Sequence, residues 1–299
     1  MAVKNVVASV LTRLKNQSKE EGIPFQTVLQ LFAQEEFLRK LSISVYAENL
    51  ILKGGMFIYT LTEFDSRPTK DIDFLLKDLH GSLENTKQTM QDICNIPTGN
   101  EFITLEVLGT ETITSEMEYP GVRTSLMGHI GNVRIPFSID VGIDDVIVPN
   151  PVKRKITTRL PEFNAPEVYT YSLESSIAEK FDSILKRMAG TSRMKDFYDI
   201  YYLSGMYDFD GKILSEAVRS TLTHRKREQP EDVFTDIADF PNNGVLDTRW
   251  KAFDPVKETG LPFRIVIDRL IAFLEPIYRN ILQGEKFDKH WNCESRIWI

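Results

Sequence analysis

The segment PFSIDVGI, residues 136–143, sets Phe137, Ile139, Val141 and Ile143 on one side of an extended chain, with Ser138, Asp140 and Gly142 on the other. That period of two predicts a strand with one face in a core and one carboxylate on the opposite face. DIDFLLKDL, from Asp71, repeats the pattern: Ile72 and Phe74 point one way, Asp71 and Asp73 the other. Like charges side by side repel, so this face is either solvated or matched by a cation. If the two strands are neighbours, Asp71, Asp73 and Asp140 form the kind of carboxylate set that binds metal in phosphoryl transfer. There, ions about 3.5–4 Å apart clamp the attacking and leaving oxygens. Asp144 and Asp145 come at the strand's end and read as solvated.

The flanking sequence has a different period. Val10, Leu11 and Leu14 suggest a short helix, and Val28, Leu29, Leu31, Phe32, Phe37, Leu38 and Leu41 form a longer helical stripe. Leu52 to Leu61 also reads as helical, and VRTSLMGHIG, from Val122, is a weaker strand candidate. After Pro149 and Pro151 the pattern turns helical again. Ser172 caps a helix carrying Leu173, Ile177, Phe181, Ile184 and Met188 on one face, and Gly190 ends it. MKDFYDIYYLSGM and PFRIVIDRLIAFLEPIYRNIL read as two more helices, and 226–262, rich in Pro, Asn, Asp and Gly, as mostly loop. The expected fold is an α/β domain over 1–160, with its N-terminal helices, followed by a mainly helical domain over 161–299.

A chain of 299 residues with this apolar content is globular, and its net charge of −7 excludes a surface that is basic all over. Two local runs stand out: Lys153, Arg154, Lys155 and Arg159, and His224 to Arg227. Each is either a solvated loop or a contact for phosphates. Two distant cysteines make no metal or disulfide pattern. With no signal peptide or membrane span legible, a soluble cytoplasmic protein is expected.

Further candidates lie outside the strands. Gly54 and Gly55 permit close backbone approach, as at a phosphate-binding turn, but also suit a simple turn or helix packing; Lys53 precedes them. Lys180 lies at the edge of an apolar helical stripe, able to snorkel to solvent or reach into a cleft. Asp196, with Ile200 and Leu203 on its face, leans to the buried side; Lys195 and Asp199 are spaced as an i,i+4 pair, with Arg193 nearby.

In order, KGG, RPTKDIDF, SIDVG, SIAEKFDSILKR and RMKDFYDIYYL resemble the AbiEii/AbiGii nucleotidyltransferase toxins over most of residues 25–205. The resemblance implies a polymerase-beta-like nucleotidyltransferase fold, a mixed sheet flanked by helices. It assigns nucleotide binding to Lys53, Gly54, Gly55, Lys180 and Lys195, and metal binding to Asp71, Asp73 and Asp140. Catalytic roles fall to Asp71, Asp73, Lys180, for the triphosphate, and Asp196, for positioning or deprotonating the acceptor. Lys180 and Asp196 would reach the cleft from the helical domain. It further implies Mg²⁺, with Mn²⁺ as a second candidate, and an NTP substrate, GTP favoured over CTP. The acceptor would be the tRNA 3′ end, the setting phage defence by abortive infection, and the antitoxin a separately encoded protein that need not bind the toxin. Two rival readings stand beside it: modification of a protein or small molecule, and nucleotide binding without turnover. Gly55 replaces a serine common among nucleotidyltransferases, and 15 residues separate it from Asp71.

Overall fold

The computed structural model describes residues 3–79, 81–113 and 121–299. They divide into two compact units. The first is Met1–Asp145 with Pro151–Tyr171, the second Val146–Asn150 with Ser172–Ile299.

In the first unit, α1 (Val3–Glu20) and α2 (Phe25–Ser42) lead to β1 (Leu50–Lys53), α3 (Gly54–Leu61), β2 (Ile72–Leu76) and α4 (Leu83–Cys94). Then come β3 (Ile103–Ile113), β4 (Gly121–Ile130), β5 (Val133–Ile143), β6 (Val152–Lys155) and β7 (Glu167–Thr170). Among the described residues these strands form one seven-stranded sheet in the order β3-β4-β5-β2-β1-β7-β6. The pairs β2–β5 and β1–β7 are parallel and the others antiparallel, so the sheet is mixed. The period-two reading holds in β2 and β5: Ile72 faces Ile139 and Phe74 faces Val141, and all four are buried. The region read as helical from Leu52 divides at the glycines. Leu52 and Lys53 belong to β1, and the helix begins at Gly54.

α2 is buried nearly all round, and its charges go into the core with it. Arg39 donates to Glu36 at 3.0 Å and to Glu35 at 3.2 Å, and Glu36 also accepts from Asn100 at 2.8 Å and from the Thr98 hydroxyl. Lys40 donates to the Ile96 carbonyl at 2.5 Å. The other oxygen of Glu35 accepts from the backbone N–H of Arg159 at 3.0 Å. The Arg159 guanidinium, itself buried, bonds Glu21 at 2.9 Å and the Tyr59 hydroxyl at 2.5 Å. Buried charges persist only when paired in this way.

The second unit runs through α5 (Leu173–Arg187), α6 (Met194–Met206), β8 (Phe209–Asp210), α7 (Gly211–His224), α8 (Val233–Asp239), α9 (Gly244–Lys251), α10 (Asp254–Thr259), α11 (Phe263–Gln283), β9 (His290–Asn292) and β10 (Ile297–Trp298). Ser172 caps α5 as expected, accepting from the N–H of Ser175 at 2.9 Å. The expectation of loop over 226–262 is wrong: α8, α9 and α10 lie there. The residues that looked like breakers are helix punctuation. The Asn243 side chain caps α9, Pro255 sits in the first turn of α10, and Gly260, left-handed, ends it. The segment 146–150 is tied to α5, with the Val148 carbonyl accepting from Ser172 at 2.5 Å and its N–H donating to Ser175 at 2.8 Å. Among the described residues no helix is long and apolar enough to cross a membrane.

Burial raises the Glu35 carboxyl from 4.5 to about 7, against the pull of Arg39 and Arg159. The folded protein therefore keeps a proton there that the unfolded chain has lost, and stability falls as pH rises from 4.5 through about 7. The loss is about 3 kcal/mol in full. Glu35→Gln should flatten this part of the curve in urea unfolding measured across the window. A mutant whose stability keeps the wild-type slope would contradict the assignment.

Candidate functional site

The sheet register builds one row of charged residues. Lys53 on β1 pairs with Asp73 on β2, Asp73 with Asp140 on β5, Asp140 with Arg123 on β4, and Arg123 with Glu111 on β3. Paired positions share a face, so these five residues lie on the side opposite Phe74 and Val141. Asp71 stands just before β2, two residues from Asp73 and exposed.

The glycines fit this row sterically. Gly54 has a φ of +70°, and a Cβ there would lie 2.9 Å from Asp73 Cγ and closer still to one of its oxygens. At Gly55 a Cβ would come within 2.9 Å of the Thr69 hydroxyl. α3 thus begins on two residues without side chains, with the Asp73 carboxylate packed against its first turn. The Lys53 ammonium lies 3.4 Å from Asp145 and 3.5 Å from the Tyr171 hydroxyl, above the Tyr171 ring. Asp145 is therefore a buried ion-pair partner, correcting its reading as a solvated residue.

Both oxygens of Asp140 bind one guanidinium: Arg123 Nε donates at 2.8 Å and Nη2 at 2.7 Å. This bond, with the charges of Asp140, Asp71 and Glu111, holds Arg123 above its ordinary pKa. Among the described residues no group of three or more His, Cys, Asp or Glu side chains is gathered closely enough to hold a metal. The hard oxygens of Asp71 and Asp73 nevertheless fit a small divalent ion such as Mg²⁺, which keeps several waters and takes phosphate oxygens, so it needs only one or two protein carboxylates.

In the helical unit, buried Lys180 donates to Asp199 at 2.5 Å and lies 3.6 Å from Asp196. The second oxygen of Asp196 accepts from Ser183 at 2.8 Å and from Arg193 Nε at 2.9 Å. Lys180 and Asp196 are thus brought together, in a tighter cluster than a solvated helix face would form. Lys195 is half-buried on α6, beside this cluster in sequence. Of the two basic runs, Arg225 binds Asp182 and Glu179, Arg227 binds Asp182, and Arg159 lies in the core described above. Lys153 and Lys155, on the edge strand β6, remain exposed, as does Lys226.

Arg123 and Tyr171 were not singled out from sequence, and Asp145 and Asp199 were named without their partners Lys53 and Lys180. For Arg123 a signal existed: it alternates with Val122 and Thr124 in the weaker strand candidate, on that strand's polar face.

The family model described as "Nucleotidyl transferase AbiEii toxin, Type IV TA system" matches residues 36–268. Among solved structures the fold is similar to that of MenT4, a nucleotidyltransferase toxin from Mycobacterium tuberculosis H37Rv, with TM-score 0.50 and 16% identity over 78% of this chain and 77% of that one. JHP933 from Helicobacter pylori also matches, with TM-score 0.45 and 14% identity over 87% and 94% of the two chains. No curated protein matches the sequence significantly.

Gly54→Ala should cost about 1–2 kcal/mol from the left-handed backbone alone, and must also push the Asp73 carboxylate aside. A variant with wild-type stability in urea would show that this packing is not tight. Lys180→Met leaves the Asp196 and Asp199 carboxylates buried without their ammonium and should destabilise the protein by about 3–5 kcal/mol. Calorimetry checks this; an unchanged melting temperature would mean that water replaces the lysine.

Proposed function

Because the chain belongs to the AbiEii family of nucleotidyltransferase toxins of type IV toxin–antitoxin systems, we propose that it transfers a nucleotide from an NTP to the 3′ end of tRNA, blocking translation. The observation that carries the site assignment is the charged row with Asp73 packed against Gly54. Asp71 and Asp73 would hold Mg²⁺, or Mn²⁺ in its place. The ion's contribution when bound is to draw the triphosphate oxygens in and offset their charge. The N-terminal turn of α3, at Gly54 and Gly55, accepts phosphate through backbone N–H groups. Lys53, fixed by Asp145 and Tyr171, adds a positive charge beside it.

The acceptor hydroxyl attacks the α-phosphorus, the bond from that phosphorus to the bridging oxygen breaks, pyrophosphate leaves and the hydroxyl proton passes to water. Lys180 counters charge on the pyrophosphate, with Lys195 as a second nucleotide contact, since fixed electrostatics do most of the work in phosphoryl transfer. Asp196 already accepts from Ser183 and Arg193, so it suits orientation of the acceptor better than removal of its proton. Exposed Lys153 and Lys155 supply backbone contacts for the acceptor, a role that the inward-bonded Arg159, Arg225 and Arg227 do not share. GTP is the favoured nucleotide, with CTP next. The setting is abortive infection in a cytoplasm, with an antitoxin encoded alongside that need not bind the toxin.

Incubating the purified protein with α-labelled NTPs, Mg²⁺ and either total tRNA or cell protein tests this. Label in tRNA 3′ ends, lost in folded Asp71→Ala and Asp73→Ala variants by at least about 100-fold, is the expected result. Label in protein instead would favour the rival acceptor, and a folded, toxic Asp71→Ala variant would sink the metal assignment.

A further inference from the structure

Asp140 occupies the position where a third metal carboxylate was expected, yet its geometry serves another group. Its side chain is 12% exposed, so an unpaired charge there would be costly, and Arg123 satisfies both its oxygens with a two-pronged bond. The fork fixes the guanidinium plane. Arg123 is 42% exposed, and its bonds to Asp140 use Nε and Nη2. The Nη1 hydrogens and one on Nη2 lie beyond that bond, on a planar cation suited to phosphate oxygens. In register, Arg123 stands two strands from Asp73, on the same face. Its charge is thereby held beside the expected metal carboxylates without belonging to them.

We infer that Arg123, oriented by Asp140, binds a phosphate group during the reaction, and that Asp140 positions Arg123 instead of coordinating metal. The phosphate belongs either to the triphosphate of the NTP or to the backbone of a nucleic-acid acceptor. The inference rests on the nucleotidyl-transfer reading of the same site.

The test uses the full chain and Arg123→Ala, Arg123→Lys, Asp140→Asn, Asp73→Asn and the Arg123→Ala/Asp140→Asn double variant. Mn²⁺ binding is titrated by electron paramagnetic resonance with a non-hydrolysable GTP analogue present, and nucleotide affinity and the acceptor KM are measured separately. Asp140→Asn is expected to hold Mn²⁺ within about threefold of wild type, while Asp73→Asn loses at least about tenfold. Arg123→Ala should raise one constant about tenfold or more, with a smaller effect on kcat. A weaker GTP analogue identifies the triphosphate as the source, and a higher acceptor KM identifies the acceptor backbone. Arg123→Lys should recover part of the loss, and the double variant should be no worse than Arg123→Ala, because the two residues act as one device.

Loss of Mn²⁺ by Asp140→Asn to the level of Asp73→Asn overturns the inference, as does an Arg123→Ala variant with both constants unchanged. An active Asp73→Asn protein with unchanged Mn²⁺ binding brings down the underlying site reading, and this inference with it.

Discussion

The pairing of β2 with β5 decides which way every charged residue of the sheet face points. With Ile72 opposite Ile139 and Asp73 opposite Asp140, Ile72, Phe74, Ile139 and Val141 fall on one face in the core and both acids on the other, where they are joined by Leu75. A slip of one residue would drive the acids into the core and leave Phe74 or Val141 in water. Burying one such unpaired acid costs several kcal/mol, so the alternative register is closed. Beside that pair, β1 brings Lys53 to Asp73, and β4 brings Arg123 to Asp140. The row, in which the adjacent acids Asp73 and Asp140 stand between Lys53 and Arg123, is a consequence of hydrophobic sorting as much as of electrostatics.

Both units share a way of handling charge. The first buries Glu35, Glu36, Arg39 and Arg159 around α2, and the second buries Lys180, Asp182, Asp196 and Asp199 between α5 and its neighbours. Such groups stabilise little in net terms, because desolvation offsets most of their attraction. Their effect is geometric: each guanidinium or ammonium has one satisfactory arrangement, and the backbone around it is held there.

The strands were legible where alternation was strict, as in SIDVG and DIDF, because a half-buried strand leaves a period of two that no other element imitates. β1, β6 and β7 were not, since four residues are too few for a period to show and tertiary pairing alone defines them. Individual site residues could be found by type and spacing. What they bind could not: the partners of Asp140, Asp145 and Lys180 lie 17, 92 and 19 residues away in sequence. Local pattern carries no information about such contacts. The stretch 226–262 shows the converse error, in which Asn243, Pro255 and Gly260 read as loop although each marks a helix end.

The assignment of Val146–Asn150 to the helical unit, between two pieces of the sheet unit, makes the chain cross from one unit to the other three times. No single cut of the backbone separates them. A protease nicking the chain after Asp145 would still leave β6 and β7 covalently attached to the helices, while their hydrogen bonds hold them in the sheet. The two units are therefore one inheritance unit: a gene fragment ending before Glu167 would encode a sheet without β7, and shuffling the helical unit onto another sheet would need three junctions rather than one.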